Sequence, residues 1–451
     1  MRSYLEILRI AWPLALGMMN NAVLQFTDRA FLAHESMASL EAVLPASMLA
    51  LITLGFFQSV VAYSGTFVAQ YHGAGDAAMS RRSYHAGLWM ALGFGALMIA
   101  VLPLGDLVFE TFSRGEEVVA RQKAYYGICT AGGVFLFVQM AAQAFFTGLG
   151  RTRIVFWVNV IGNALNVALD PILIFGWCGV PRLGIAGAAY ATVVATAVQG
   201  LILIIAARRT GLVDARMVHA GRKGAQGVSL LGLVGRILRF GLPSGAYSVI
   251  NCLSFTIFVF LTGGVGHVEA AVSNACFTVN YLLIAPVEGF ALGASTLVAQ
   301  AQGRRDPVAA MRAGNRSVAL GVALVAVLSA GILILHRPIL HIFASKVGAA
   351  DAAKFHSLGL VLFGLMALWQ MFDAADIIIS GALKGAGDTQ FVMGWLLFVS
   401  FAIWLPVAWG VSRVHNTMPA LWGTMVLDVV VICIGSVIRW RHGTWRRIRM
   451  V

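Results

Sequence analysis

A chain of 451 residues that is 59% hydrophobic and only 11% charged is no ordinary soluble domain, in which about a quarter of residues carry charge. Stretches of about 20 apolar residues recur from end to end, the signature of helices that cross a bilayer. The net charge of +13 does not indicate nucleic acid, because the basic residues follow the loops between these stretches. The chain is read as an all-α integral membrane protein.

Twelve spans are expected, at roughly 10–33, 43–69, 86–110, 124–148, 154–176, 184–207, 237–262, 272–300, 314–343, 356–382, 391–413 and 418–438. One set of loops receives Arg81, Arg82, Arg151, Arg153, Arg208 to Arg236, Arg304, Arg305, Lys384 and the tail from Arg439 to Arg449. The other set holds fewer, among them Arg114, Arg121, Arg182, Arg337, Lys346 and Arg413, with acids such as Glu35 and Glu269. By the positive-inside rule both termini and the central linker are cytoplasmic, in an inner or plasma membrane. Five scattered cysteines without CxxC suggest neither a disulfide framework nor a metal cluster. No GxxxxGK[ST] provides an ATP motor, and Pro13 opens a long span rather than a cleavable signal.

In the first span Gly17, Asn21, Gln25 and Asp28 recur at four, four and three residues, which keeps them on one helix face. Arg29, next to Asp28 but about 100° round the helix, is expected to reach for the outer interface. The fifth span, WVNVIGNALNVALDPILIFG, repeats the pattern with Asn159, Asn163, Asn166 and Asp170. Its carboxylate costs roughly 2.5–3.5 kcal/mol at mid-membrane on insertion scales. An ion or proton site is preferred over a purely packing role for so complete a stripe. Asp28 and Asp170 fall at similar depth, about 24 and 25 Å along their helices at 1.5 Å per residue.

The second span closes in VAQYHGAGD and the eighth in VAQAQGRRD, displaced by 230 positions, an offset that Pro13 and Pro243 share. Gly148 to Thr152 resembles Gly385 to Thr389 at an offset of 237. The chain is thus two related halves, 1–207 and 237–451, joined by a basic cytoplasmic linker at 208–236. Six spans per half return the chain to the same side, so the repeat is parallel. The Gly-containing ends lack the strand of a nucleotide-binding motif and are read as tight turns in which Asp opens the next helix.

In the second half Ser244, Ser248 and Asn251 share a face, and Glu288 follows Pro286 in the eighth span. Asp373, Asp376 and Ser380 lie on one side of the tenth span, where the two acids repel unless a cation or proton joins them. Asp428 in the twelfth span is read as solitary.

The chain resembles the multidrug and toxin extrusion (MATE) transporters over essentially its whole length. Pro13 with Asp28, both VAQ-x-x-G-x-x-D segments, NVALDPILIFG, GIAGAAYATV, FGLPSG, and Asp373 with SGALKGAGDT carry the resemblance. It implies two six-helix lobes in a V around a central cleft, and export of cationic, lipophilic drugs in exchange for H⁺ or Na⁺. Asp28, Asn166, Asp170 and Thr192 match the N-lobe cation or proton site, to which the stripe adds Asn163. Asp373 matches the acidic position of the C-lobe, with Asp376, Glu288 and Asn251 as further C-lobe or drug-attracting candidates. Members with a C-lobe sodium site usually carry Glu where this chain has Asn251, which shifts the expected coupling site to the N-lobe.

The expected activity is therefore an alternating-access antiporter, not an enzyme. It needs no cofactor and no metal beyond a Na⁺ that Asp28, Asn166 and Asp170 would hold. Its partners are cationic small molecules and membrane lipid, with no nucleic acid, and a monomer is expected. A flippase for lipid-linked precursors would need basic residues inside the spans, and a membrane-embedded enzyme a metal cluster or a pyrophosphate motif; both are weaker readings.

Overall fold

Apolar stretches of this length must satisfy their backbone within each segment, and helices do so. The computed structural model describes residues 2–112, 115–210, 229–344 and 349–451, in which every regular element is helical. Most of the linker, with Arg216, Arg222 and Lys223, lies outside the described residues, as do Arg114, Lys346 and the side chain of Arg29. Among the described residues eleven helices are long and apolar enough to cross a membrane, and one bent pair makes a twelfth.

The helical elements run in chain order as α1 (Arg2–Glu35), α2 (Met37–Ala62), α3 (Ser64–Gly73), α4 (Ala77–Phe112), α5 (Glu116–Ala131), α6 (Gly133–Gly148), α7 (Thr152–Phe175) and α8 (Ile185–Arg209). There follow α9 (Leu230–Gly263), α10 (His267–Gly303), α11 (Pro307–Ile334), α12 (His336–Ala344), α13 (Ala349–Ala386), α14 (Thr389–Leu397), a π-helical turn at Phe398–Trp404, α15 (Leu405–Val414) and α16 (Met418–His442).

Two expected spans are broken. The fourth bends by 43° between α5 and α6, at the Gly132–Gly133 pair, where a Cβ on Gly132 would strike Val193. Paired glycines are a common seat of kinks. The ninth, expected to run to 343, stops at Ile334, and α12 follows as a separate short helix. Pro338 has no N–H for the Ile334 carbonyl, so the ladder fails there.

The chain forms two compact units. One comprises Leu16–Ser248, Ala299–Asp306 and Met450–Val451; the other comprises Met1–Ala15, Val249–Val298 and Pro307–Arg449. Backbone hydrogen bonds repeat the sequence duplication. Asp76 N donates to Tyr71 O and Gly75 N to His72 O, as Asp306 N donates to Ala301 O and Arg305 N to Gln302 O. Gly75 and Arg305, 230 apart, both have positive φ. Likewise Arg151 N bonds Phe146 O as Asp388 N bonds Leu383 O, at the 237 offset. Asp76 Oδ1 accepts from Met79 N at 2.9 Å and so caps α4. Within the first unit the two turns press together: a Cβ on Gly73 would overlap the Gln300 carbonyl, and one on Gly303 the Gln70 carbonyl.

The second unit has an aromatic core. Phe258, Phe363, Trp404 and Trp422 are buried in it, Phe277 stacks on Trp422, and Trp422 Nε1 donates to Ser273 Oγ at 3.1 Å.

Candidate functional site

The polar stripes of α1 and α7 meet rung by rung inside the first unit. Gly17 faces the Asn159 amide, and Asn163 Nδ2 donates to Asn21 Oδ1 at 2.8 Å. On the next rung the Asn166 amide lies between the carboxylates. Oriented by its neighbours, its nitrogen donates to Asp28 Oδ1 and Asp170 Oδ2 at 3.3 Å each, and its oxygen accepts from Thr192 Oγ1 at 3.2 Å. Asp170 itself reaches Asp28 within hydrogen-bonding distance, so two like charges face each other there.

Helix α8 closes the third side. Thr192 hangs from the Ala188 carbonyl at 3.0 Å, and Gln199 Nε2 donates to Asn163 Oδ1 at 3.4 Å. The absence of side chains lets these helices touch: Gly162 is covered by the Gln199 side chain, and Gly187 by the backbone of Leu173 and Ile174. Asn159, Asn163 and Asn166 are buried, and Asp170 is 0% exposed. Its Oδ1 has no hydrogen-bond partner among the described residues. Pro171, next in the chain, has no N–H to give the Val167 carbonyl, so a second acceptor beside the acid is freed. Leu32, Ile174 and Ile185, with Phe31, Tyr125 and Phe175 against them, form an apolar cluster next to the acids.

The five positions expected from the sequence, Asp28, Asn163, Asn166, Asp170 and Thr192, therefore converge. Asn21 and Gln199 were not among the expected site residues, although both were within reach of pattern reading. Asn21 lies on the first stripe, and Gln199 follows Thr192 by seven residues, two helical turns.

The second unit holds a different cluster on α10, α13 and α16. Asp376 accepts from Ser380 Oγ at 3.4 Å and from Ser436. Asp373 lies in the field of Asp376, Glu288 and Asp428. Two expectations are corrected. Asp428 is not solitary: it is 4% exposed and interacts with Asp376. Lys384 is not a loop residue: it sits inside α13 and acts on Asp376 and Glu288. Helical register explains both, since 376, 380 and 384 repeat every four residues on one face, which α16 covers. Glu288 and Asn251 are exposed, and Asn251 makes no side-chain hydrogen bond among the described residues. No three His, Cys, Asp or Glu among the described residues converge as metal ligands.

A third polar knot lies where α1 ends. Glu35 pairs with Arg121 at 3.3 Å and Arg182 at 3.1 Å. Arg121 also donates to Ser36 and Ser39, and Ser36 Oγ caps α2 through Ser39 N at 3.1 Å. Burial opposes ionisation of Glu35, but hydrogen bonds from Ser39 and Ser36 and the charges of Arg121 and Arg182 outweigh it and hold its pKa below the ordinary 4.5. These residues read in the sequence only as loop charges.

A family model described as MatE matches residues 13–172 and 243–409. The chain belongs to the MatE family. Proteins named probable multidrug resistance protein NorM are similar along nearly the whole chain. The one from Bradyrhizobium diazoefficiens is 27% identical, over 93% of this chain and 88% of its own. That from Thermotoga maritima is 26% identical, over 98% and 94%. A crystal structure of MATE in complex with MaL6 superposes at TM-score 0.84 and 21% identity, over 98% of this chain and 96% of that one. A MOP superfamily transporter from Pyrococcus furiosus, described as having a binding pocket of reverse polarity, does so at 0.84 and 20%, over 98% and 95%. This MatE chain is thus a multi-pass membrane protein with the MATE fold.

Proposed function

We propose that the chain is a secondary antiporter that exports cationic, lipophilic compounds in exchange for H⁺ or Na⁺ by alternating access. Its relatives' names support the multidrug substrate class, and family membership supports transport rather than catalysis. The observation that carries the coupling is the amide of Asn166 between Asp28 and Asp170, with one Asp170 oxygen buried and unpaired. Two carboxylates this close cannot both stay charged and empty; one proton or one small cation resolves the repulsion. Carboxylate, amide and hydroxyl oxygens are also the donor set of a hard cation.

In this reading the ion enters from outside, binds between α1, α7 and α8, and alters their packing so that drug is released outward. Reorientation then discharges the ion into the cytoplasm, where both termini lie. The acids Asp373, Asp376 and Glu288 attract the cationic compound, and the functional protein is a monomer in a cytoplasmic membrane. A lipid-linked precursor flippase is disfavoured because Lys384 acts on Asp376 and Glu288 rather than standing ready for pyrophosphate. The test is ethidium transport in proteoliposomes under a pH gradient or a sodium gradient. Transport driven by one gradient and lost in Asp170→Asn is expected; transport that persists in Asp28→Asn and Asp170→Asn overturns the site.

A further inference from the structure

The break between α11 and α12 creates a feature that the transport reading does not use. A cavity of about 580 Å³ opens between α12 and the beginning of α13, lined by His336, Arg337, His341, His356, Ser357 and Leu360 among others. Four of these six carry cationic or N–H-donating rings and forks, and donors of this kind suit a phosphate. Among the described residues Arg337 forms no ion pair. His336 Nδ1 contacts the Leu333 carbonyl at 2.8 Å; a carbonyl only accepts, so Nδ1 carries the hydrogen and Nε2 is the ring's remaining polar atom. The neighbouring charges of α13 are engaged elsewhere: Lys354 pairs with Glu269 at 2.6 Å, and Asp351 acts on Lys354.

The surroundings are apolar. Ile334 is 77% exposed and Ile342 71%, with Leu335 and Leu360 also open, while Leu340 is fully buried and pins α12 to its unit. A short helix at the end of a span, basic toward a cavity and apolar beside it, has the pattern of a helix that lies in a membrane interface. We propose that this cavity binds the headgroup of an anionic phospholipid, with Arg337, His341 and His356 on the phosphate and the acyl chains along Ile334, Leu335, Ile342 and Leu360. A free phosphate ion would use the same donors but not the apolar rim.

Native mass spectrometry of the full-length protein distinguishes the sources. The probes are dimyristoyl-phosphatidylglycerol, dimyristoyl-phosphatidylethanolamine and inorganic phosphate. Phosphatidylglycerol should be retained over phosphatidylethanolamine. The variant Arg337→Gln/His341→Gln should lower that retention by at least about fivefold, the share of the Arg337 charge alone, with residual phosphatidylethanolamine binding as the check that the protein is folded. Arg413→Gln, a basic residue that instead lies over the Trp409 ring, should leave it unchanged. Equal retention of both lipids, equal retention by the double variant, or displacement of phosphatidylglycerol by millimolar phosphate would each overturn the proposal.

Discussion

Both units bury carboxylates inside membrane helices, but they neutralise them differently. In the first unit two acids are bridged by an amide and flanked by Asn21, Asn163, Thr192 and Gln199, all neutral. In the second, Asp376 and Glu288 share one cation, Lys384, while Asp373 and Asp428 lie in the field of their neighbouring acids. The first arrangement is compact and closed by apolar side chains, which suits one small ion. The second is spread over three helices and partly open, which suits a field that attracts a larger cation. Amides hold geometry without charge, so the first site changes its charge only by what binds; the second already contains its own counter-ion.

Removing one acid from each cluster tests this contrast most strongly. Asp170→Asn should abolish ion-driven efflux while leaving drug binding, whereas Asp376→Asn should mainly weaken binding of cationic drugs. Efflux in proteoliposomes and equilibrium binding in detergent separate the two outcomes. If Asp376→Asn uncouples and Asp170→Asn does not, the roles are reversed.

Next in size is the support of the first site. Asn166→Leu keeps the volume but removes the bridge between Asp28 and Asp170. Loss of a residue that orients primary ligands typically costs 10–100-fold in affinity or activity, so the ion concentration for half-maximal efflux should rise by about that factor. Ser380→Ala, which removes one hydroxyl from a cluster with several, should shift drug binding far less. Comparable losses from the two would show that the second cluster is as tightly organised as the first.

How much of this was legible in the sequence depends on which physical rule applied. Helix periodicity placed Asn163, Asn166 and Asp170 on one face, and two stripes at equal depth anticipated the meeting with Asp28. The same rule, applied across helices, needed neighbours the sequence does not state: Asp428 read as solitary because its partners Asp373 and Asp376 lie on another helix. Lys384 read as a loop charge because span ends were drawn by hydropathy, and a lysine within a helix looks like a boundary. The Gly132 bend and the stop at Ile334 were missed because apolar character runs through both; Gly-Gly and Pro338 were the available signals.

A smaller effect probes the duplication that underlies the comparison. Gly73 and Gly303 occupy equivalent turns and face each other's Gln carbonyl, where backbone cannot give way. Gly73→Ala and Gly303→Ala should each destabilise the protein by about 1–3 kcal/mol, the usual cost of overpacking, and by similar amounts. Thermal unfolding in detergent measures both. Gly93→Ala, with open space around its Cβ position, should be neutral.

The smallest expected effect concerns charge outside either cluster. Glu35 is held ionised by two arginines and two serines, with its side chain 7% exposed and its pKa lowered. A depressed carboxylate adds stability above its unfolded pKa, near 4.5, and loses that contribution as pH falls toward the folded value. Glu35→Gln should therefore lower stability at pH 7 by about 1–2 kcal/mol, between the cost of breaking a surface and a buried pair. The gap between wild type and variant should close below about pH 4.5, while the intramembrane clusters are untouched. A gap that stays constant down to pH 3 would mean that Glu35 acts through packing, and that ion pairing matters here only inside the membrane.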